Sequence, residues 1–420
     1  MAEQSMVDPP AGATRVGAAW FAHGFARFGA KTATIAPHPL PPGWPTDTLP
    51  RRVHLYLHVP YCARKCPYCD FNSIAGRDDE HAAYVDALLC EVRRLPRGPY
   101  TTVFIGGGTP TMLAAPLLER LLVGVRAHIR LADDYEWTCE ANPGSADAER
   151  FAVLAAHGVN RISLGVQSTH DRHLAFLGRV HDAGEAERAI ALALAAVPRV
   201  SADLILGLPE QTAAELAVDL DLYRRHGLRH ASVYHLTYEP GTEFHARRGR
   251  GELRDIAPER SRALFIQAWD ALGALGLLPY ETSNFAAPGH ESRHNLAYWR
   301  ARDYHAAGAG AVSTVAGVRM TREKHPAAYI AAISAGGDAQ WRSEAIGTGE
   351  RLAEAWMLGL RLAEGVDLER VRGLGDTAAR YETRIAALVG EGLIARDGER
   401  VRLTRAGRPV QDEVTVYLMP

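Results

Sequence analysis

The chain has 420 residues, of which 47% are hydrophobic and 23% are charged, and its formal net charge is −2. This length allows two or three globular domains, and the nearly balanced charge gives no support for electrostatic binding of nucleic acid or of an anionic membrane. No apolar run is long enough to span a membrane, and five cysteines, three of them clustered, do not have the pattern of a disulfide framework. We therefore expect a cytoplasmic protein without a transmembrane segment.

Residues 1–50 predict an irregular extension. The segment is rich in Ala, Gly and Pro and ends in "PHPLPPGWPTDTLPRR". Proline has no backbone N–H and interrupts both helices and strands, so no long regular element is expected here. One short helix is predicted near "AAWFAHGFARF".

Residues 51–287 alternate between strand-like and helix-like segments. The predicted strands are 53–59, 102–107, 136–143, 161–168, 200–209, 230–240 and 276–286. The segments between them have helical periodicity, as in "PLLERLLVGVRAHIR" and "TAAELAVDLDLYRRHG". This alternation indicates βαβ units and a parallel sheet. The predicted fold class is therefore α/β, with a partial or full (β/α) barrel.

The pattern changes after residue 287. Residues 288–345 contain too many Gly, His and aromatic residues for a βα unit, so we interpret them as a linker or cap that contains "RHNLAYW". Residues 346–420 predict a smaller α+β domain, in which a helical stretch is followed by "YETRIAALVGEGLIARDGERVRLTRAG", a helix and a hairpin of winged-helix type. Such a domain could bind DNA, but the charge of the chain favours a packing domain that covers the barrel.

Three of the cysteines stand in "CARKCPYCDFNS", directly after the first predicted strand. Cys62, Cys66 and Cys69 have the spacing C-x3-C-x2-C, and thiolates this close together in a cytosolic protein indicate zinc or an iron–sulfur cluster. Zinc would need a fourth ligand, for which His58 is a candidate. A four-iron cluster on three thiolates leaves one iron open to a small molecule, and we favour this interpretation. Cys90, at apolar helical spacing, and Cys139, on a strand, are not expected to be ligands.

The cysteine motif resembles that of radical S-adenosylmethionine (SAM) enzymes, which hold a [4Fe-4S] cluster and SAM in a βα barrel. The segments "YLHVPYC", "FIGGGTPT", "EANPG", "RISLGVQS", "DLILGLPEQT" and "RHNLAYW" narrow the resemblance to the oxygen-independent coproporphyrinogen III oxidase-like branch. Within it, the chain is more similar to the heme chaperones, because the oxidases have a further cysteine two residues after the third ligand, where this chain has Phe71. A role as an enzyme stays open, with coproporphyrinogen oxidation as the alternative and methyl transfer as a third, weaker one.

The resemblance implies a set of SAM-binding residues, namely Tyr56, Tyr68, Gly107, Gly108, Thr109, Glu140, Gln167, Arg179 and Asp203. Each has a plainer interpretation. The glycines could form an ordinary tight turn, and the two tyrosines could simply pack in the core. Asp203 lies in an otherwise apolar strand, where a charge needs a partner or a polar cavity.

The resemblance also implies heme as bound cargo and client hemoproteins, such as respiratory enzymes, as partners. His294, Tyr298 and Trp299 of the HNxxYW motif are the tentative heme contacts, because imidazole is a common axial ligand of heme iron and aromatic rings offer flat surfaces. A histidine that is merely satisfied by hydrogen bonds is the competing interpretation. The chain has Val312 where relatives carry a histidine. The client and the oligomeric state, a homodimer included, stay open.

Overall fold

Alternating apolar and turn-forming segments build one large sheet in the computed structural model, which describes residues 53–375 and 379–419. The extension predicted for residues 1–50, with its short helix, lies outside the described residues. The strands are β1 Val53–Val59, β2 Tyr61–Cys62, β3 Ile74–Ala75, β4 Tyr100–Gly107, β5 Leu131–Ala141, β6 Arg161–Gln167, β7 Arg199–Leu206, β8 His230–His235, β9 Leu278–Pro279, β10 Asn284–Ala286, β11 Tyr304–Ala307, β12 Val312–Val315, β13 Val318–Arg322, β14 Gln340–Ala345, β15 Val366–Asp367, β16 Ile394–Asp397 and β17 Arg400–Leu403.

Helices connect most of the strands. They are α1 His81–Val92, α2 Ala115–His128, α3 Ala148–Ala156, α4 Asp171–Phe176, α5 Ala183–Ala196, α6 Ala213–His226, α7 Glu243–Gly249, α8 Pro258–Ala274, α9 Arg293–Trp299, α10 Pro326–Ser334, α11 Thr348–Gly359, α12 Leu368–Gly373, α13 Ala379–Gly390 and α14 Gln411–Leu418. Short 3-10 helices occupy Asp78–Glu80, Pro110–Met112, Pro143–Ser145 and Arg408–Val410. Local sequence explains several ends: α6 begins at a capping box of Thr212 and Glu215 and stops at Gly227, whose φ of 64° suits a residue without a Cβ.

The main sheet has the strand order β14-β13-β12-β11-β1-β4-β5-β6-β7-β8-β10-β9. From β11 to β8 all neighbours are parallel, whereas β9, β10, β12, β13 and β14 add antiparallel edges. Because β14 and β9 are opposite ends of the order, the sheet is open, and of the two predicted architectures it is the partial barrel. The fold class predicted from the sequence is therefore confirmed.

The predicted boundary at residue 287 does not separate the barrel from a cap. Strand β11 pairs in parallel with β1, with His54 opposite Tyr304 and Leu57 opposite Ala307. Helix α10 packs on α1, so residues 304–345 complete the sheet and its helical layer. The sequence pattern misses this because β11 is four residues long and pairs with a strand roughly 250 positions earlier in the sequence.

The C-terminal residues form a second core. Strands β15, β17 and β16 make a small antiparallel sheet, against which α11 and α13 pack, and α14 packs on these two helices. Trp356, Tyr381 and Val401 are buried at its centre. The long helix predicted before residue 373 is divided, because β15 interrupts it between α11 and α12. No helix in the described part of the chain is long and apolar enough to cross a membrane.

Candidate functional site

The three clustered cysteines lie on the loop that leaves β1. All three line a cavity of about 260 Å³ in the barrel, and all three are free thiols that are partly buried. The Cys62 Sγ lies 3.6 Å from the Thr109 hydroxyl, and Cys69 N donates to Cys66 O at 3.0 Å. Burial raises the pKa of Cys62, and it raises that of Cys69 to about 11. A thiolate in either position would therefore need a positive partner such as a metal cluster.

The end of the cysteine loop is fastened by side chains. The Lys65 ammonium donates to Phe71 O at 3.0 Å and to Ser73 O at 3.2 Å. The Asn72 amide donates to Ala309 O and to Lys324 O, both at 2.9 Å, which ties the loop to the segments flanking β12 and β13.

His58 is part of this support. Its Nε2 donates to Asn72 O at 2.8 Å, and its Nδ1 accepts from the Tyr56 hydroxyl at 2.9 Å. Both ring nitrogens are thus engaged, and His58 does not line the cavity. The histidine that we considered as a fourth zinc ligand is therefore a structural residue in this arrangement. Among the described residues, no three His, Cys, Asp or Glu side chains converge on a point that a single ion would occupy.

The glycine-rich loop follows β4 and has no room for side chains. A Cβ at Gly106 would lie 2.5 Å from the Glu140 carboxylate, and one at Gly107 would lie 2.4 Å from the His58 ring. Gly107 also has a φ of 112°, which disfavours other residues. The Glu140 Oε2 accepts from Gly107 N at 2.9 Å, so the carboxylate at the end of β5 holds this loop.

Two carboxylates share the cavity. Burial raises the pKa of Glu140 to about 7, the bond from Gly107 N opposes this, and Asp203 raises it further. Burial likewise raises the pKa of Asp203 to about 6, against hydrogen bonds from Ser232 and Ser163. Asp203 therefore has the polar partners that its position in an apolar strand requires. Near neutral pH the cavity can gain negative charge when a cationic ligand enters it.

Gln167 and Arg179 meet at the end of β6. The pairing of β6 with β7 is irregular between Leu164 and Gln167, and Gln167 has a φ of 72°. The Arg179 guanidinium donates to Gly165 O at 2.7 Å, lies 3.4 Å from the Tyr68 hydroxyl and lies 3.6 Å from Cys66 Sγ. Arg179 thereby connects the cysteine loop to β6.

The HNxxYW segment forms α9 and contributes to the inner part of the cavity. His294 is 1% exposed, its Nδ1 bonds the Thr102 hydroxyl at 2.7 Å and its Nε2 bonds the Tyr298 hydroxyl at 3.0 Å. Its ring stacks on Phe104 at 5.1 Å. Burial lowers the pKa of His294 well below its ordinary value, so the ring is neutral.

Of the three predicted heme contacts, His294 and Tyr298 line the cavity and Trp299 does not. His294 offers no free nitrogen to iron, because each ring nitrogen already has a partner. Trp299 lies outside the cavity lining and packs on Leu358 and Leu362, with the Arg361 guanidinium 4.3 Å from its ring centroid. Val312, at the start of β12, is also absent from the lining. Trp299 and Val312 therefore lie outside the cavity that His294 and Tyr298 line.

The other predicted residues come together as expected. The lining includes every cysteine ligand and every SAM-binding residue predicted above, whereas Cys90 and Cys139 are outside it. Sequence reasoning missed the polar inner wall, which includes Thr138, Arg161 and His230 at 1%, 2% and 4% exposure. Strand alternation alone could have flagged Arg161, a charged residue that opens the apolar strand "RISLGVQ".

An open parallel barrel with C-x3-C-x2-C after its first strand, and with a glycine-rich loop and a carboxylate at the next two strand ends, is the arrangement of a radical SAM protein. Residues 56–223 match the Radical SAM superfamily, and residues 349–410 match the HemN C-terminal domain. The solved coproporphyrinogen III oxidase HemN of Escherichia coli has the same fold, with a TM-score of 0.75 at 23% identity over 88% of this chain and 90% of that chain.

Curated relatives place the chain more narrowly. It is 42% identical to the heme chaperone HemW of Escherichia coli over 289 residues, which is 66% of this chain and 75% of the relative. It is 36% identical to the heme chaperone HemW of Mycobacterium tuberculosis over 379 residues, which is 87% of this chain and 94% of the relative. The chain therefore belongs to the HemW family of radical SAM proteins.

The residues present fit the cofactors that this family implies. Three free thiols on one loop face the cavity, as three corners of a cluster require. The buried Arg179 Nε has no hydrogen-bond partner in the structure, and it lies beside the cysteine loop where an anionic group would satisfy it. The glycine loop brings bare backbone to the cavity, so a ligand can approach its carbonyl groups.

Proposed function

We propose that this protein binds a [4Fe-4S] cluster and SAM in the barrel, and that it is a heme chaperone that binds heme and transfers it to client hemoproteins such as respiratory enzymes. One observation carries the cofactor assignment: a single cavity is lined by the three free thiols, which the cysteine spacing singles out, and by the nine residues that the resemblance implies. The chaperone assignment is supported by the HemW relatives. The cytoplasm is the proposed compartment.

Cys62, Cys66 and Cys69 would hold the cluster, which supplies an iron with open coordination for the amino and carboxylate groups of SAM and an electron to its sulfonium. The chain's own residues orient and neutralise the ligand. Glu140 fixes the glycine loop through Gly107 N and adds negative charge near a cationic ligand. Arg179 would take the carboxylate, since its Nε faces no other partner.

The remaining residues of the set act on the rest of the ligand. Tyr56 donates its proton to His58, so the lone pairs of its oxygen are available to accept from a ligand amino group. Tyr68 packs against Phe244 with a centroid distance of 6.4 Å and presents a ring beside the cluster loop. Gln167 and Asp203 line the same cavity and would provide polar groups for the hydroxyl groups of the ligand.

Heme transfer is proposed over coproporphyrinogen oxidation because Phe71 stands where the oxidases carry a cysteine. The half-buried Phe71 lines the cavity beside Cys69. Since the structure does not support His294, Tyr298 and Trp299 as a ready heme site, the heme contact is not assigned to them. The homodimer remains a proposal, and its test is the mass of the reconstituted protein in solution.

The experiment uses anaerobically reconstituted full-length protein in four assays. SAM binding is measured by calorimetry, heme binding by the Soret shift and heme transfer by loading of an apo-hemoprotein. Coproporphyrinogen III with SAM and reductant is assayed for decarboxylated product. We expect SAM binding, heme binding and transfer without product. Decarboxylation without heme binding would overturn the chaperone assignment in favour of the oxidase.

A further inference from the structure

Gln167 has a backbone conformation that its own side chain does not favour. Its φ of 72° lies in the left-handed region, which costs a non-glycine residue free energy. It ends β6 at the irregular pairing with β7, and its side chain folds back over the strand, since a Cβ on Gly165 would lie 2.9 Å from Gln167 Nε2. The conformation therefore directs the amide into the cavity, and something must hold it there.

The residues that follow Gln167 are gripped by one buried carboxylate. Asp219, on α6, is 1% exposed. Its Oδ1 accepts from Thr169 N at 2.6 Å, from the Thr169 hydroxyl at 2.8 Å and from the Ser168 hydroxyl at 3.1 Å. Three donors from two consecutive residues thus converge on one oxygen. The second oxygen, Oδ2, also faces donors, because it accepts from the Ser168 hydroxyl at 3.3 Å and from the Gln211 amide. A carboxylate fits this position because both of its oxygens accept hydrogen bonds.

The same carboxylate reaches the loop after β7. The Gln211 amide donates to Asp219 Oδ2 at 3.5 Å, and Gln211 Oε1 accepts from Gly207 N at 2.8 Å and from Leu208 N at 3.4 Å. Gln211 is fully buried. Asp219 therefore joins the loops that follow two neighbouring strands, just outside the cavity that neither Asp219 nor Gln211 lines.

We propose that Asp219 is a positioning residue for the SAM site: by holding Ser168 and Thr169 it keeps Gln167 in the left-handed conformation, with its amide in the cavity. This inference rests on the proposed SAM site. Asp219 touches no ligand and acts only through Gln167. Its carboxylate acts by fixing the backbone conformation of Gln167. In a relaxed backbone conformation, Gln167 would direct its amide away from the cavity.

The test is a double-mutant cycle on reconstituted full-length protein, with SAM affinity measured by calorimetry. Asp219→Asn replaces Oδ2, which accepts from Ser168 and Gln211, with an amide NH₂ group that can only donate. We expect it to weaken SAM binding about tenfold, the effect of losing roughly one hydrogen bond to an ionised group. Gln167→Ala should weaken binding by a similar factor. The double variant should bind as Gln167→Ala does, within about twofold, because Asp219 has no route to the ligand once the amide is gone. If the double variant instead lost SAM affinity by the product of the two single losses, the proposal would be overturned.

Two controls separate this proposal from a general loss of folding and from the proposed function. Asp221→Asn changes an exposed aspartate on the same helix, which pairs with Arg224, and should leave SAM affinity unchanged. Gln167→Gly, which relieves the left-handed conformation, should raise the melting temperature of the parent but not that of Asp219→Asn. A gain of the same size in both backgrounds would contradict the proposal. Failure of the parent itself to bind SAM would instead contradict the proposed function.

Discussion

At the scale of single residues, the cavity combines groups whose charge depends on what is bound. Glu140 and Asp203 are buried together, and burial raises the pKa of both. Arg179 is held between Gly165 O and Cys66 Sγ with its Nε unpaired. These groups carry desolvation costs that a ligand with an ammonium and a carboxylate would offset. Without a ligand, these desolvation costs lower the free energy of unfolding of the protein.

The three cysteines are the first residues to test. Serine at Cys62, Cys66 or Cys69 removes a thiolate that faces the cavity, so anaerobic reconstitution should no longer give about four irons per chain. Iron and sulfide analysis measures this. Cys90→Ser is the matched control, since that thiol lies outside the cavity and contacts Arg94 at 3.8 Å. Retention of a full cluster in Cys66→Ser would show that the ligand assignment is wrong.

Glu140→Gln tests how the charge of Glu140 affects two quantities, the free energy of unfolding and the affinity for SAM. The folded-state pKa of about 7 lies above the ordinary value of 4.5, so stability falls as pH rises between these values and stays low above pH 7. The amide does not titrate, so above pH 7 the variant should recover ~2 kcal/mol of unfolding free energy. SAM affinity of the parent should fall as pH drops below 7, where Glu140 gains a proton.

Denaturation and calorimetry at pH 6 and pH 8 test both parts of that prediction. The variant should show a smaller pH dependence of SAM affinity, limited to what Asp203 contributes with its pKa raised to about 6, and it should bind SAM more weakly than the parent at pH 8. Asp134→Asn is a matched control for the change of charge, because that side chain is exposed and pairs with Arg293 away from the cavity. An unchanged pH profile in Glu140→Gln would assign the titration to another group.

At the scale of elements, β6 and α9 decide the shape of the cavity. The irregular end of β6 presents Gln167, while α9 packs His294 and Tyr298 against Thr102 and Phe104 from the inner side. His294 N also donates to the buried Glu136 carboxylate at 3.1 Å. Helix α9 is therefore held in place by hydrogen bonds from both the side chain and the backbone of His294, which is consistent with a supporting role in the fold.

His294→Ala tests whether α9 supports the fold or binds heme. Removal of a buried ring and its two hydrogen bonds should lower the unfolding free energy by ~2–4 kcal/mol. Heme binding, followed by the Soret shift below the melting temperature, should change by less than about twofold, because the ring nitrogens are not available to iron. His305→Ala, on β11 and outside the cavity lining, is the control. If the variant lost the Soret shift and kept its stability, the result would show that His294 contacts heme.

Local pattern was sufficient to predict β1 and β4 to β8, but not the two-residue strands β2 and β3. Cys62 was found from the spacing of the cysteines, whereas Glu140 and Gln167 were implied by the family resemblance, and both lie at strand ends, which parallel strands bring to one edge. Three features depend on contacts between distant segments and could not be found: the pairing of β11 with β1, the burial of His294 and the left-handed Gln167. We propose that the last depends on Asp219, which lies roughly 50 residues away and is one of several acidic residues in its helix.

At the scale of the whole molecule, two hydrophobic cores meet across a few buried charges. Glu281 of the barrel is fully buried and accepts from Arg361 at 3.0 Å, while Arg361 also lies over the Trp299 ring. Arg408 donates to the carbonyl oxygens of Arg361 and Leu362. Each charged side chain in this contact has a polar partner, so loss of one partner leaves a buried charge.

Arg361→Ala should therefore lower the unfolding free energy by ~3 kcal/mol and loosen the C-terminal domain from the barrel. Calorimetry should show a second, lower transition for residues 346–420, whereas the parent should unfold in fewer steps. Arg300→Ala is the matched control, because its partner Glu364 is exposed and such pairs contribute at most about 1 kcal/mol. Equal effects of the two substitutions would show that the buried pair does not join the domains.

The fastening of the cysteine loop by Lys65 has a practical consequence. The sequence contains only three lysines, Lys31, Lys65 and Lys324, against 44 arginines. Two of these lysines contact the same loop, since Lys65 donates to Phe71 O and Ser73 O, and Lys324 O accepts from Asn72. An amine-specific acylating reagent would thus label the folded chain at very few positions, one of them inside the cysteine motif. Mass spectrometry of that label offers a reporter of the loop that needs no engineered tag.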